Sequence, residues 1–209
     1  MKLTTTAFRD NAAIPGEFAF AVIDPVNHVR LSANRNPDFA WDDVPNGTRS
    51  LALLCHDPDV PSRGDDVNQE GRVVPASLPR VDFFHWVLID LSPRTKGVAR
   101  GEHSDGIVAR GKAGPGAPRE GRHGINDYTG WFASDKDMAG DYYGYDGPCP
   151  PWNDETPHRY VFTLYALDMA ELTVPDKFTG FDARNAMQGH ILAQVAVTGR
   201  YTLNPAVKL

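Results

Sequence analysis

A chain of 209 residues with 41% hydrophobic and 23% charged residues reads as one globular domain, residues 1–209, with a single core. Its formal charge of -6 excludes a nonspecific nucleic-acid binder and a polybasic membrane anchor, because both depend on basic faces. No segment approaches the ~20 apolar residues of a membrane span, and no apolar run follows Lys2, so neither integral membrane contact nor a secretory leader is expected.

The first fifty residues are punctuated by turn signals: Pro15-Gly16, Asp24-Pro25, Asn36-Pro37 and Pro45-Asn46-Gly47. Short apolar pieces, Phe18–Ile23 and Phe39–Trp41, lie between them. That interval predicts short strands of a sandwich or barrel, not an α/β repeat. Ser50–Cys55 is a continuous apolar run, short enough to be a strand buried on both faces, and it leads straight into His56-Asp57-Pro58-Asp59-Val60-Pro61. Residues 62–80 are polar and patternless, which predicts a long loop insertion.

Phe83–Leu91 is a second buried-strand candidate and carries His85 near its start. A second insertion, residues 94–145, holds Gly111, Gly114, Gly116, Gly121 and Gly124. Its GKAGPG stretch lacks the order of a phosphate-binding loop and follows no strand. The aromatic end of this region, Tyr128–Tyr145, reads as a folded loop packed over the proline segment that follows.

That segment, Gly147-Pro148-Cys149-Pro150-Pro151, is stiff: each proline fixes φ near ~-65° and removes a backbone donor. Tyr160–Leu167 is the third buried strand, with His158 and Arg159 at the junction where rigid loop becomes core. Farther on, Ala183, Ala186, Met187, His190 and Ile191 recur at helical spacing, with Asp182 as the expected N-cap. Val195–Leu203 alternates like a closing strand. Cys55 and Cys149 are expected to be free thiols in a reducing cytoplasm.

Each of the three strongest strands therefore has polar groups near one end. Asp57 and Asp59 follow the first, His85 opens the second, and His158 with Tyr160 opens the third. Were those ends to meet, two imidazoles, two carboxylates and a phenol would share one hollow and could hold an oxyanion. Each residue alone also has a plain structural reading: a histidine bonded to nearby backbone, Asp59 as a turn former, Tyr160 as core, Cys149 as filler. A metal site of two histidines and a carboxylate lacks ligand pairs from one element, so neither metal nor cofactor is expected. A hydrolase using His158 or His85 with Asp57 is the alternative function, although no G-x-S-x-G nucleophile is present.

The blocks His56–Ser62, His85-Trp86 and Gly147–Pro151 followed by His158-Arg159-Tyr160 resemble, in that order, motifs of the phosphatidylethanolamine-binding proteins. Asn34–Leu53 and a late GHILA helix fit the same family, and the long loops resemble its bacterial members. The resemblance implies an antiparallel β-sandwich with one or two short peripheral helices and a small anion pocket at one end. It also implies that Asp57, Asp59, Pro61, His85, Cys149, Pro150, His158 and Tyr160 line that pocket, with Val60-Pro61 as a candidate cis bond. The implied ligand is a phosphate-bearing small molecule or phospholipid headgroup. A homodimer and regulation of a protein partner through the loops are further expectations.

Overall fold

The computed structural model describes all 209 residues, Met1–Leu209. Three long strands form its centre: β5 (Ser50–Pro61), β6 (Arg80–Leu91) and β9 (His158–Leu167). They are the three apolar runs read from the sequence, each extended by a polar end. With β10 (Ile191–Tyr201) and β8 (Arg122–His123) they make a five-stranded antiparallel sheet in the order β10-β9-β5-β6-β8. A smaller sheet of β1 (Lys2–Thr4), β4 (Phe39–Asp42) and β7 (Gly97–Val98) lies over one face, and β2 (Ala21–Asp24) pairs with β3 (His28–Leu31) as a hairpin.

The central runs lack alternation because both of their faces are covered. Leu51, Leu53 and Cys55 point toward the small sheet, where they pack with Leu3, Phe39 and Trp41. Ala52 and Leu54 point the other way, onto Phe178, Ala183 and Met187. All five β5 side chains are buried, and the larger ones contribute on the order of 1.5–3 kcal/mol each by leaving water.

Two elements depart from the sequence expectation. The helix on the outer face, α2, spans Gly180–Ala186, and its N-cap is Thr179. Asp182 serves at the third position, where its carboxylate accepts the Thr179 backbone N–H while the Thr179 hydroxyl accepts the Asp182 N–H. The helical spacing ran past the true end because Met187 still packs on the core; Gly189 then takes φ +82°, which a helix cannot contain, and Ile191 starts β10. The GHILA stretch is therefore turn and strand. The second departure is Val60-Pro61, which is trans. Both residues remain in β5 opposite Val81 and Arg80, and an extended trans chain continues that ladder.

The two insertions are tied down by polar side chains. The loop after β5 is stitched to residues 152–155: the Asn68 N–H donates to Asn153 Oδ1, and Asn153 Nδ2 donates to the carbonyls of Asp66 and Arg72. The longer insertion carries one helical turn, α1 (Tyr128–Trp131). It also buries a histidine pair, His103 Nδ1 to His123 Nε2 at 2.9 Å. Cys55 lies in the core, Cys149 is exposed, and no disulfide joins them.

The histidine pair makes the fold acid-sensitive. Burial lowers His103 to about 4, and burial together with the neighbouring His103 and Lys112 lowers His123 to about 3. An unfolded histidine binds its proton near ~6.5, so below that pH the unfolded chain binds more protons and stability falls. Urea midpoints should therefore drop between pH 7 and pH 4.5, and the slope should flatten in a His103→Gln/His123→Gln variant that still folds.

Candidate ligand pocket

The polar ends of β5, β6 and β9 do meet, and two bulges aim them. Cys55 lies opposite Trp86 and His56 opposite Phe84, which leaves His85 as an extra residue without a partner on β5. Phe84 stays on the outer face and Trp86 on the inner face, while His85 turns into a cavity and meets the Tyr160 ring edge-on at 5.0 Å. The second bulge falls at Pro58-Asp59, between the pairs Asp57–Phe83 and Val60–Val81. There Asp57 Oδ1 accepts the Asp59 N–H at 2.8 Å, which fixes the carboxylate against the cavity floor.

His158 is held from both sides. Its Nδ1 lies 2.7 Å from Asp57 Oδ2 and its Nε2 lies 3.1 Å from Asp154 Oδ2, with all three side chains buried. Two carboxylates facing two ring nitrogens require both nitrogens to donate, so the ring is an imidazolium. Burial by itself would lower its pKa, but the Asp57 charge and the Asp154 hydrogen bond outweigh that and raise it to about 9. Asp154 is buried too, yet His158 and Arg80 hold it well below the usual carboxylate range. Arg80 grips Asp154 through both terminal nitrogens, at 2.5 and 3.1 Å. Negative and positive charges thus alternate from Asp57 to Arg80 and cancel.

His85 is equally buried but differs in partner and in charge. Its Nδ1 donates to the Asp146 carbonyl at 2.7 Å, and burial lowers its pKa to about 4. At neutral pH the ring is uncharged and Nε2 is the nitrogen left for the cavity. Asp146 is itself anchored below the floor. Its carboxylate accepts from Asn34 at 2.7 Å, Asn126 at 2.8 Å and Lys112 at 2.9 Å. The side-chain oxygen of Asn34, Oδ1, in turn accepts the Gly147 N–H at 2.8 Å, where the proline segment begins.

The cavity has a volume of about 240 Å³. Of the residues expected to line it, Asp57, Pro61, His85, Cys149, Pro150, His158 and Tyr160 do so, and Asp59 does not. Asp59 faces the other side of the sheet, where its carboxylate takes Arg159 Nε at 2.9 Å and Nη2 at 2.8 Å. Alternation along β9 explains this: His158 and Tyr160 share one face, and Arg159 takes the other. The sequence reading missed Arg80 and Asp154, because no spacing rule links them to His158. It also missed the aromatic wall of Phe20, Phe83, Tyr128, Trp131 and Phe132. The aromatic density after Tyr128 was the available signal; Tyr128 does bond the proline segment, donating to the Gly147 carbonyl at 2.7 Å, but its ring also faces the cavity.

Removing one member of the charge row should be costly. Asp154→Asn leaves His158 and Arg80 short of a partner and should destabilise by about 3–5 kcal/mol in chemical denaturation. The wild-type row also predicts an alkaline limit. The folded pKa of His158 lies above the unfolded value, so its contribution is complete below ~6.5 and lost as pH rises through about 9. A His158→Gln variant should lose that alkaline slope.

Comparison with known proteins agrees with this architecture. A sequence model of the family described as Phosphatidylethanolamine-binding protein matches residues 4–202. A UPF0098 protein of Methanothermobacter thermautotrophicus is 31% identical over 96% of this chain and 98% of its own, and the UPF0098 protein YbhB of Escherichia coli is 29% identical over 97% and 100%. Among solved structures, a putative phosphatidylethanolamine-binding protein homolog from Chlamydia trachomatis superposes with a TM-score of 0.60 at 26% identity, covering 95% of both chains. Escherichia coli YbcL, described as a new member of the mammalian PEBP family, superposes with a TM-score of 0.67 at 20% identity, covering 96% of this chain and 97% of its own. The match over nearly the whole length shows that this chain belongs to the phosphatidylethanolamine-binding protein family.

Proposed function

We propose that this protein is a binding protein whose cavity takes the phosphate group of a small molecule or lipid headgroup. The observation that carries this reading is the pairing, on one cavity floor, of a charge row that sums to zero with a neutral histidine free at Nε2. A phosphate entering there meets no net negative field from Asp57, because His158 cancels it. Its acidic P–OH can donate to His85 Nε2, or its second charge can draw a proton onto that ring. Arg63, at the rim, is the other cationic side chain in the lining and forms no ion pair. It supplies long-range attraction for an anion approaching a chain of net negative charge.

Two measurements test the reading. Calorimetric titration with phosphoethanolamine should show saturable binding, weakened roughly tenfold or more in His85→Ala, as expected for a hydrogen bond to a charged group. Repeating the titration in buffers of different ionisation enthalpy should reveal proton uptake near pH 7, because the free ring titrates at about 4 and the bound one higher. Affinity should then rise as pH falls toward 6. Absence of binding at millimolar ligand, in a sample shown to be folded, refutes the assignment.

A further inference from the structure

The floor accounts for only part of the cavity. A single tetrahedral anion fills only a fraction of its volume of about 240 Å³. The remainder is walled by rings. Phe20 stacks on Tyr128 at 4.8 Å, Phe83 stands edge-on to Tyr128 at 5.4 Å, and Phe132 lies 5.5 Å from Tyr128. This wall is rigid. The Tyr128 hydroxyl is bonded to Gly147, and Asp127 clamps α1 to β6 by accepting the Phe84 N–H at 2.6 Å and donating its own N–H to the Phe84 carbonyl at 2.9 Å.

One ring stands apart. Trp131 lines the same cavity, has no aromatic partner of its own, and leaves 55% of its surface in water. An indole held at a cavity mouth by a clamped helical turn is a preformed face for another ring. Phosphate binding at the floor places a substituent on the ester oxygen in this outer half.

We infer that the outer half is an aryl subsite, with Trp131 as its specificity-determining residue, so that the protein selects compact aryl phosphate monoesters over inorganic phosphate and alkyl phosphates. This rests on phosphate binding at the floor and adds the chemistry of the attached group. Size is compatible with a single ring: beside the phosphate the cavity has room for one six-membered ring against Trp131. The selectivity has a structural source in this chain, since α1 belongs to the long insertion between β6 and β9.

The test compares inorganic phosphate, methyl phosphate, phenyl phosphate and glycerophosphoethanolamine by calorimetry, with tryptophan emission as a second readout. Phenyl phosphate should bind about tenfold more tightly than methyl phosphate. It should also shift the emission to the blue as Trp131 is covered; Trp41 and Trp86 are already buried, and Trp152 lies outside the cavity, stacked on His28 at 3.8 Å, so none of these three should respond. In Trp131→Ala the phenyl-to-methyl ratio should fall toward one and the emission shift should vanish, while Trp131→Phe should restore most of the ratio. An unchanged thermal midpoint in both variants shows that folding is not the cause. Equal affinity for the phenyl, methyl and inorganic ligands overturns the aryl subsite and leaves phosphate binding standing. If no ligand binds, both proposals fall together. If glycerophosphoethanolamine binds most tightly, a lipid headgroup replaces the aryl ester as the occupant.

Discussion

The contact on which the site depends is the imidazolium of His158 lodged between Asp57 and Asp154. Three buried ionic groups would be ruinous singly, since an unpaired charge in a protein interior costs several kcal/mol. They are tolerable because each is saturated by the next, and because Arg80 closes the row at the solvent side. The row also has a mechanical role. It joins β5, β6, β9 and the segment before β9, which are elements far apart in sequence, at the end of the sheet where backbone pairing is giving way to bulges. The charges hold together a region that the hydrogen-bond ladder alone would leave frayed.

The two histidines of the floor show how environment divides one residue type into two roles. His158 has two carboxylates and stays charged; His85 has a carbonyl and a ring of aromatic neighbours and stays neutral. A floor with two imidazolium rings would carry a net positive charge. A floor with none would repel anions through Asp57. The mixed arrangement leaves one ring that can change its protonation state when something binds, next to a pair that cannot do so without loss of stability.

Much of this was legible in the sequence. Three unbroken apolar runs named the central strands, because burial on both faces erases alternation. The polar residues capping those runs named most of the floor. What stayed hidden has physical causes. Whether Asp59 faces in or out depends on a one-residue bulge, and a bulge at Asp-Pro leaves no separate mark from an ordinary turn. Asp154 and Arg80 are joined to His158 only by tertiary structure, so no periodicity could announce them. The helix near the C-terminal end was overextended because the helical spacing continues to His190 and Ile191, whereas the helical backbone stops at Ala186 although Met187 still packs on the core. The aromatic wall was misassigned to simple packing, since a ring that covers a loop and a ring that faces a cavity look the same in sequence.

Lys112 gives the long insertion a meaning beyond decoration. Its ammonium reaches under the floor to the Asp146 carboxylate and the Tyr145 carbonyl, and the same Asp146 presents the carbonyl that orients His85. Trimming the insertion to a short connector would strip the countercharge from a carboxylate that is 1% exposed, and that carboxylate would have to bind a proton or drag its backbone toward water. The second change would carry away the backbone carbonyl that fixes the tautomer of the His85 ring. The excursion between the second and third long strands is thus the underside of the pocket, and the two parts have to be exchanged as one unit when such domains are recombined.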